Sequence, residues 1–176
     1  MRGHRLLDAA LVAAVVTFSI SCAHAAEHFV ASLSGFNEIG GVGAGETGAI
    51  LSNGRGSLVL DFDKKAGTAE YTLTYSGLSS TVTVAHIHFG KVHVAGGVIV
   101  FLCGGGGQAA CPSSGTVSGT ITAGNVQAIE SQNVKAGDFD AFEDALTTNT
   151  AYANVHTTNF PAGEIRGQVR GGLDDQ

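Results

Sequence analysis

Residues Thr68-Ala-Glu-Tyr-Thr-Leu-Thr-Tyr75 alternate without a break: Ala69, Tyr71, Leu73 and Tyr75 on one face, Thr68, Glu70, Thr72 and Thr74 on the other. A period of two marks a half-buried strand and excludes a helix, whose apolar positions recur every 3.6 residues. The pattern returns in short runs. Residues 28–33 alternate, and 57–62 and 68–75 flank Asp63-Lys-Lys-Ala-Gly67, which predicts a hairpin over 57–75. Residues 48–51, 82–89 and 116–121 read as further strands, and the continuous apolar run 98–102 as a strand covered on both sides. Residues 152–156 and 164–169 predict a final hairpin. The 26 glycines supply turns between these runs. One stretch breaks the rule: at 138–146, Phe139, Phe142 and Leu146 fall at helical spacing behind Asp138, a good cap. The expected fold is all-β, a small antiparallel β-sandwich or barrel, with one short α-helix lying over the end of a sheet.

The first 25 residues stand outside that fold. Arg2, His4 and Arg5 precede an apolar run over 6–20, and Ala23-His-Ala25 lies just before Ala26. A basic start, an apolar centre and small residues at a cleavage point predict a signal peptide over 1–25, a secreted or periplasmic protein, and one domain over 26–176. The run is short for a membrane anchor, so no transmembrane span is expected after cleavage. Lipidation of Cys22 ranks second, because Ser19 stands where a large aliphatic residue is expected. The net charge of −6 and the absence of a basic patch exclude nucleic acid and anionic membrane surfaces as partners. A protein partner or small ligand remains, with no identity written in the sequence.

With Cys22 set aside, Cys103 and Cys111 remain, an even count that predicts one disulfide in an exported protein. Gly104 to Gly107 lets the chain turn back between them. A thiolate metal site is the weaker reading: seven intervening residues is not a common zinc spacing and there is no second cysteine pair.

The polar faces are more informative. His86 and His88 are two apart on an expected strand and project from one face. Asn154 and His156 share a face of the next-to-last run, as do Glu164, Arg166 and Gln168 of the last. A His-x-His pair is half of a metal site, and His156 is the candidate third ligand. Three imidazoles with an open position suit a mononuclear Cu(II) or Zn(II). Glu164 is then expected to accept a hydrogen bond from a ligand imidazole, Arg166 to hold an anion or that carboxylate, and Asn154 to lie beside them. The competing reading makes the same residues a structural polar network that pins strand register, in a structural or protein-interaction domain without metal. His93, in a loop, and His28, near the expected mature terminus, are weaker candidates.

These segments carry a resemblance. Leu33-Ser-Gly-Phe-Asn-Glu38, Ala85-His-Ile-His-Phe-Gly90, Gly97-Val-Ile-Val-Phe-Leu-Cys103, Tyr152-Ala-Asn-Val-His-Thr157 and Phe160-Pro-Ala-Gly-Glu-Ile-Arg-Gly-Gln168 resemble, in order, the CHRD domain. That module was first named from chordin and also occurs singly in exported bacterial proteins. The resemblance covers about 28–170. It implies an all-β domain whose biochemical role is poorly defined, and chordin's antagonism of bone morphogenetic proteins does not transfer to a lone domain. Ala85–Gly90 is also similar to the copper-binding His-x-His-x-x-Gly stretch of copper–zinc superoxide dismutases, implying a third reading as a redox metalloenzyme. This chain has too few histidines for that family's bridged copper–zinc pair.

Other chemistry has little support. Ser113-Ser114 has no base placed near it. Asp138, Asp140, Glu143 and Asp144 lack the spacing and glycine of a calcium loop. The glycines of 40–45 are not set between a strand and a helix, so no nucleotide is implied.

Overall fold

The structure is a computed structural model that describes residues 26–39 and 48–172. The expected signal peptide, Cys22 and the glycines at 40–45 lie outside the described residues. Nine strands run in the order β1 (Glu27–Ser34), β2 (Arg55–Asp63), β3 (Thr68–Ser76), β4 (Val82–Phe89), β5 (Gly97–Cys103), β6 (Gly115–Thr122), β7 (Ala151–Thr157), β8 (Ile165–Gln168) and β9 (Arg170–Gly171), with one helix, α1 (Phe139–Thr147), between β6 and β7. Hydrogen bonds join the strands as β5-β4-β7-β8-β1-β2-β3-β6, with β9 continuing beside β1. Every named pairing is antiparallel, and the sheet curls into a nearly closed barrel.

Period-two alternation sets the inside. Phe29, Ala31 and Leu33 of β1, Leu58, Leu60 and Phe62 of β2, and Ala69, Tyr71, Leu73 and Tyr75 of β3 are all buried in the core. The β2–β3 hairpin pairs Asp63 with Thr68, as the turn residues predict. Helix α1 closes one end of the barrel: the Phe139 ring stacks on Phe62 at 4.9 Å between centroids, and Phe142 packs beside both. Asp138 caps it by accepting a hydrogen bond from the Ala141 amide at 3.1 Å.

The sheet path ends at β5 and β6, which share no ladder among the described pairings. That seam is bridged from beneath. Tyr71 on β3 donates its hydroxyl to the Leu102 carbonyl of β5 at 2.7 Å, and Tyr75 donates to Pro112 at 2.7 Å. Gly119 on β6 leaves the room: a Cβ there would stand 2.8 Å from the Tyr71 hydroxyl. The sulfurs of Cys103 and Cys111 are at bonding distance, with Cα atoms 5.1 Å apart, so the disulfide staples the end of β5 to the link toward β6.

One expected strand is absent. Residues 48–51 do not join the sheet. Gly48 and Ala49 have φ of 78° and 43°, which breaks an extended run, and Leu51 is 89% exposed. The segment instead docks on the turn after β1, Ala49 N–H donating to Glu38 O and Ile50 N–H to Gly35 O. The last run, expected over 164–169, is shorter: β8 begins at Ile165 and ends at Gln168.

Candidate metal centre

Strand β7 is buried at all seven positions. Its inner face, Ala151, Ala153 and Val155, belongs to the barrel core. Its outer face, Tyr152, Asn154 and His156, is covered by the segments before β5 and after β7. Register then builds the site. His86 lies opposite Asn154, His88 opposite Tyr152 and Val84 opposite His156 across β4 and β7. Arg166 lies opposite Asn154, and Gln168 opposite Tyr152, across β7 and β8. Same-face neighbours on paired strands touch, so residues distant in sequence become one cluster.

The three expected ligands converge. His86 sits between the other two rings, with centroids 4.3 Å from His88 and 4.5 Å from His156. One ring nitrogen from each lies within 4.8 Å of the others. His86 and His156 are buried, and His88, half-buried as a residue, still hides its Nε2. His88 Nδ1 is 2.8 Å from the Gly96 carbonyl oxygen and His156 Nδ1 2.9 Å from that of Pro161. A carbonyl only accepts, so both Nδ1 atoms carry the proton and both Nε2 atoms present lone pairs. Those two Nε2 atoms and His86 Nδ1 are the only buried side-chain polar atoms among the described residues with no hydrogen-bond partner. Burial, reinforced by the neighbouring His88 and His156, pushes His86 down to about 2. Burial likewise pushes His88 down to about 4 and lowers His156, against their carbonyl bonds. All three imidazoles are therefore neutral near pH 7, the form that donates to a metal.

The surrounding residues depart from expectation at Glu164. It makes no hydrogen bond to an imidazole. Gly163, with φ of 128°, turns the chain ahead of β8, and the Glu164 carboxylate accepts from Ser79 N–H and Oγ at 2.8 Å each, Thr157 Oγ1 at 2.7 Å and Ser52 Oγ. Burial pushes this carboxyl up, but the bonds from Ser52, Thr157 and Ser79 outweigh it and hold the group below its ordinary range. Glu164 is a knot tying three segments. Nor does Arg166 hold Glu164: its Nη2 donates to the carbonyls of Lys91 at 3.2 Å and Val94 at 3.0 Å, and its Cζ is 3.4 Å from the Tyr152 ring centroid. Tyr152 also stacks on His88, centroids 4.5 Å apart at 8°. Asn154 does lie in the cluster, donating Nδ2 to the Ile165 carbonyl at 2.9 Å and to Glu38.

Glu38 and Tyr152 were not singled out from sequence. Tyr152 shares the alternating face of Asn154 and His156, a signal present but unused. Glu38 has no such local signal, because only the fold brings residue 38 to residue 154. Burial pushes the Glu38 carboxyl up to about 7, against the Asn154 bond and the Arg166 charge. His93 stays exposed in the turn after β4 with φ of 61°, and His28 pairs with Asp61 at 2.7 Å, far from the cluster in the register.

Fold and cluster together define a small antiparallel barrel with a buried trihistidine cluster on its outer wall. The chain belongs to the CHRD domain family, whose sequence profile matches residues 29–169. No curated protein matches it. Among the described residues no helix is long and apolar enough to cross a membrane.

Proposed function

We propose that this CHRD domain is an exported metal-binding module in which His86, His88 and His156 hold one copper or zinc ion. The observation that carries the reading is the convergence of three buried ring nitrogens with no partner. A buried polar nitrogen left unsatisfied costs about 1–3 kcal/mol, so three in one place call for an occupant that accepts lone pairs. Carbonyl bonds at the far nitrogens of His88 and His156 fix tautomer and ring direction, as ligand histidines require. Neutral imidazole donors suit copper and zinc over calcium or magnesium. Export fits the signal-like residues 1–25 and the Cys103–Cys111 bond, which is compatible with an oxidising compartment.

The test is metal content of protein purified from an oxidising compartment, then calorimetric titration with copper and with zinc. Stoichiometric binding that disappears in His88→Ala supports the reading, and no uptake at micromolar metal overturns it. A metal-free structural role has one observation in its favour: the same carbonyl bonds pin the segments at Gly96 and Pro161. His156→Ala separates the two. Lost metal with a retained fold favours binding, and a lost fold with no metal effect in the parent favours structure.

A further inference from the structure

The cluster opens onto a cavity of about 160 Å3 lined by His88, His156, Glu38, Asn154, Tyr152 and Arg166. Arg166 is 3% exposed, and among the described residues it forms no salt bridge. Two carbonyls and the Tyr152 ring stabilise its guanidinium without neutralising it. A buried charge without a counter-charge is costly. The carboxyl that acts on it, Glu38, accepts from Asn154 and makes no ion pair with Arg166 among the described residues.

Arg166 also lines a second, larger pocket of about 460 Å3 on the outer side. Arg170 and His93 line it too, and among the described residues no carboxylate does. In a chain of net charge −6 this is a local reversal of sign, and a concave cationic lining draws anions inward.

We propose that the inner cavity is an anion site, in which one small monovalent anion, of the size of formate or azide, binds between the trihistidine metal and the Arg166 guanidinium. It enters past Arg170 and His93. The anion supplies the counter-charge that Arg166 lacks among the described residues and fills the coordination position that three imidazoles leave open. This deepens the metal-binding reading and rests on it.

The experiment uses the copper(II)-loaded protein titrated with azide, followed by the azide-to-copper charge-transfer absorption and by electron paramagnetic resonance. Saturable binding is expected, weakened at least tenfold in Arg166→Gln and largely recovered in Arg166→Lys. Equal affinity in the parent and Arg166→Gln overturns the anion site, as does copper loading with no azide response. Failure to take up copper defeats the metal reading and this one with it. Where Arg166→Gln does not fold, zinc-loaded parent protein labelled with 15N-arginine is titrated with formate. The buried Arg166 side-chain resonance is expected to shift, while an unmoved resonance overturns the proposal.

Discussion

Three imidazoles held neutral by burial make the metal-free protein acid-sensitive. In the unfolded chain each takes up a proton near its ordinary value of 6.5, whereas in the fold His86 and His88 resist it down to about 2 and about 4. Lowered folded-state values mean stability present above 6.5 and lost as pH falls, at about 1.4 kcal/mol per pH unit for each of His86 and His88, with His156 acting in the same direction. Glu38 acts in the opposite sense: a carboxyl raised from 4.5 to about 7 favours the fold at low pH and gives up that contribution as pH rises from 4.5 to about 7. The urea midpoint of the metal-free protein should therefore drop between pH 7 and pH 5, and Glu38→Gln should make the drop steeper. A midpoint flat across that interval contradicts neutral buried histidines. Gly163 is constrained both by its backbone angle and by its neighbours. With φ of 128°, its Cβ would stand 2.7 Å from Asn154 Nδ2 and 2.8 Å from Glu38 Oε1. Gly163→Ala is expected to cost about 1–3 kcal/mol in urea unfolding. The residues that alternation could place, His86, His88, Asn154 and His156, were legible from sequence. Glu164 was misread because the turn at Gly163 takes it out of register with Arg166, and a backbone angle of that kind leaves only a glycine as its trace.

Strands and helix were legible wherever one face meets water. The hairpin of β2 and β3 and the helix α1 follow their hydrophobic periods closely. Residues 48–51 failed because a short apolar run carries no record of the positive φ values that break it. Strand β7 shows the converse: its polar outer residues mimic a solvent-facing side, yet they are covered, and only the covering segments make them a site. The disulfide was readable from the cysteine count and the glycines between the pair. Replacing both Cys103 and Cys111 by Ala releases a short loop and should cost about 2.5 kcal/mol by the loop-entropy estimate, read as a lower urea midpoint. A midpoint unchanged by the double substitution would mean that the staple adds nothing to β5.

Beyond the two hairpins, β2 with β3 and β7 with β8, the order of strands around the barrel was not legible. Neighbours such as β7 with β4, or β8 with β1, are chosen by long-range packing rather than by any local pattern. Among the described pairings that order leaves a seam without a ladder between β5 and β6, and hangs part of its closure on the Tyr71 hydroxyl. Tyr71→Phe removes that donor from the buried Leu102 carbonyl and should cost about 1–3 kcal/mol, with faster amide exchange along β5 and β6 as the local signature. The same architecture governs how a bound ion would leave. The free ring nitrogens are buried, and the segments around Gly96 and Pro161 are pinned against His88 and His156, so a multidentate chelator reaches a bound ion only when those segments move. Release then waits on a spontaneous parting of those segments. Chelator added in increasing excess should therefore strip the metal at a rate that climbs and then levels off, and the plateau would be the opening rate of the protein itself.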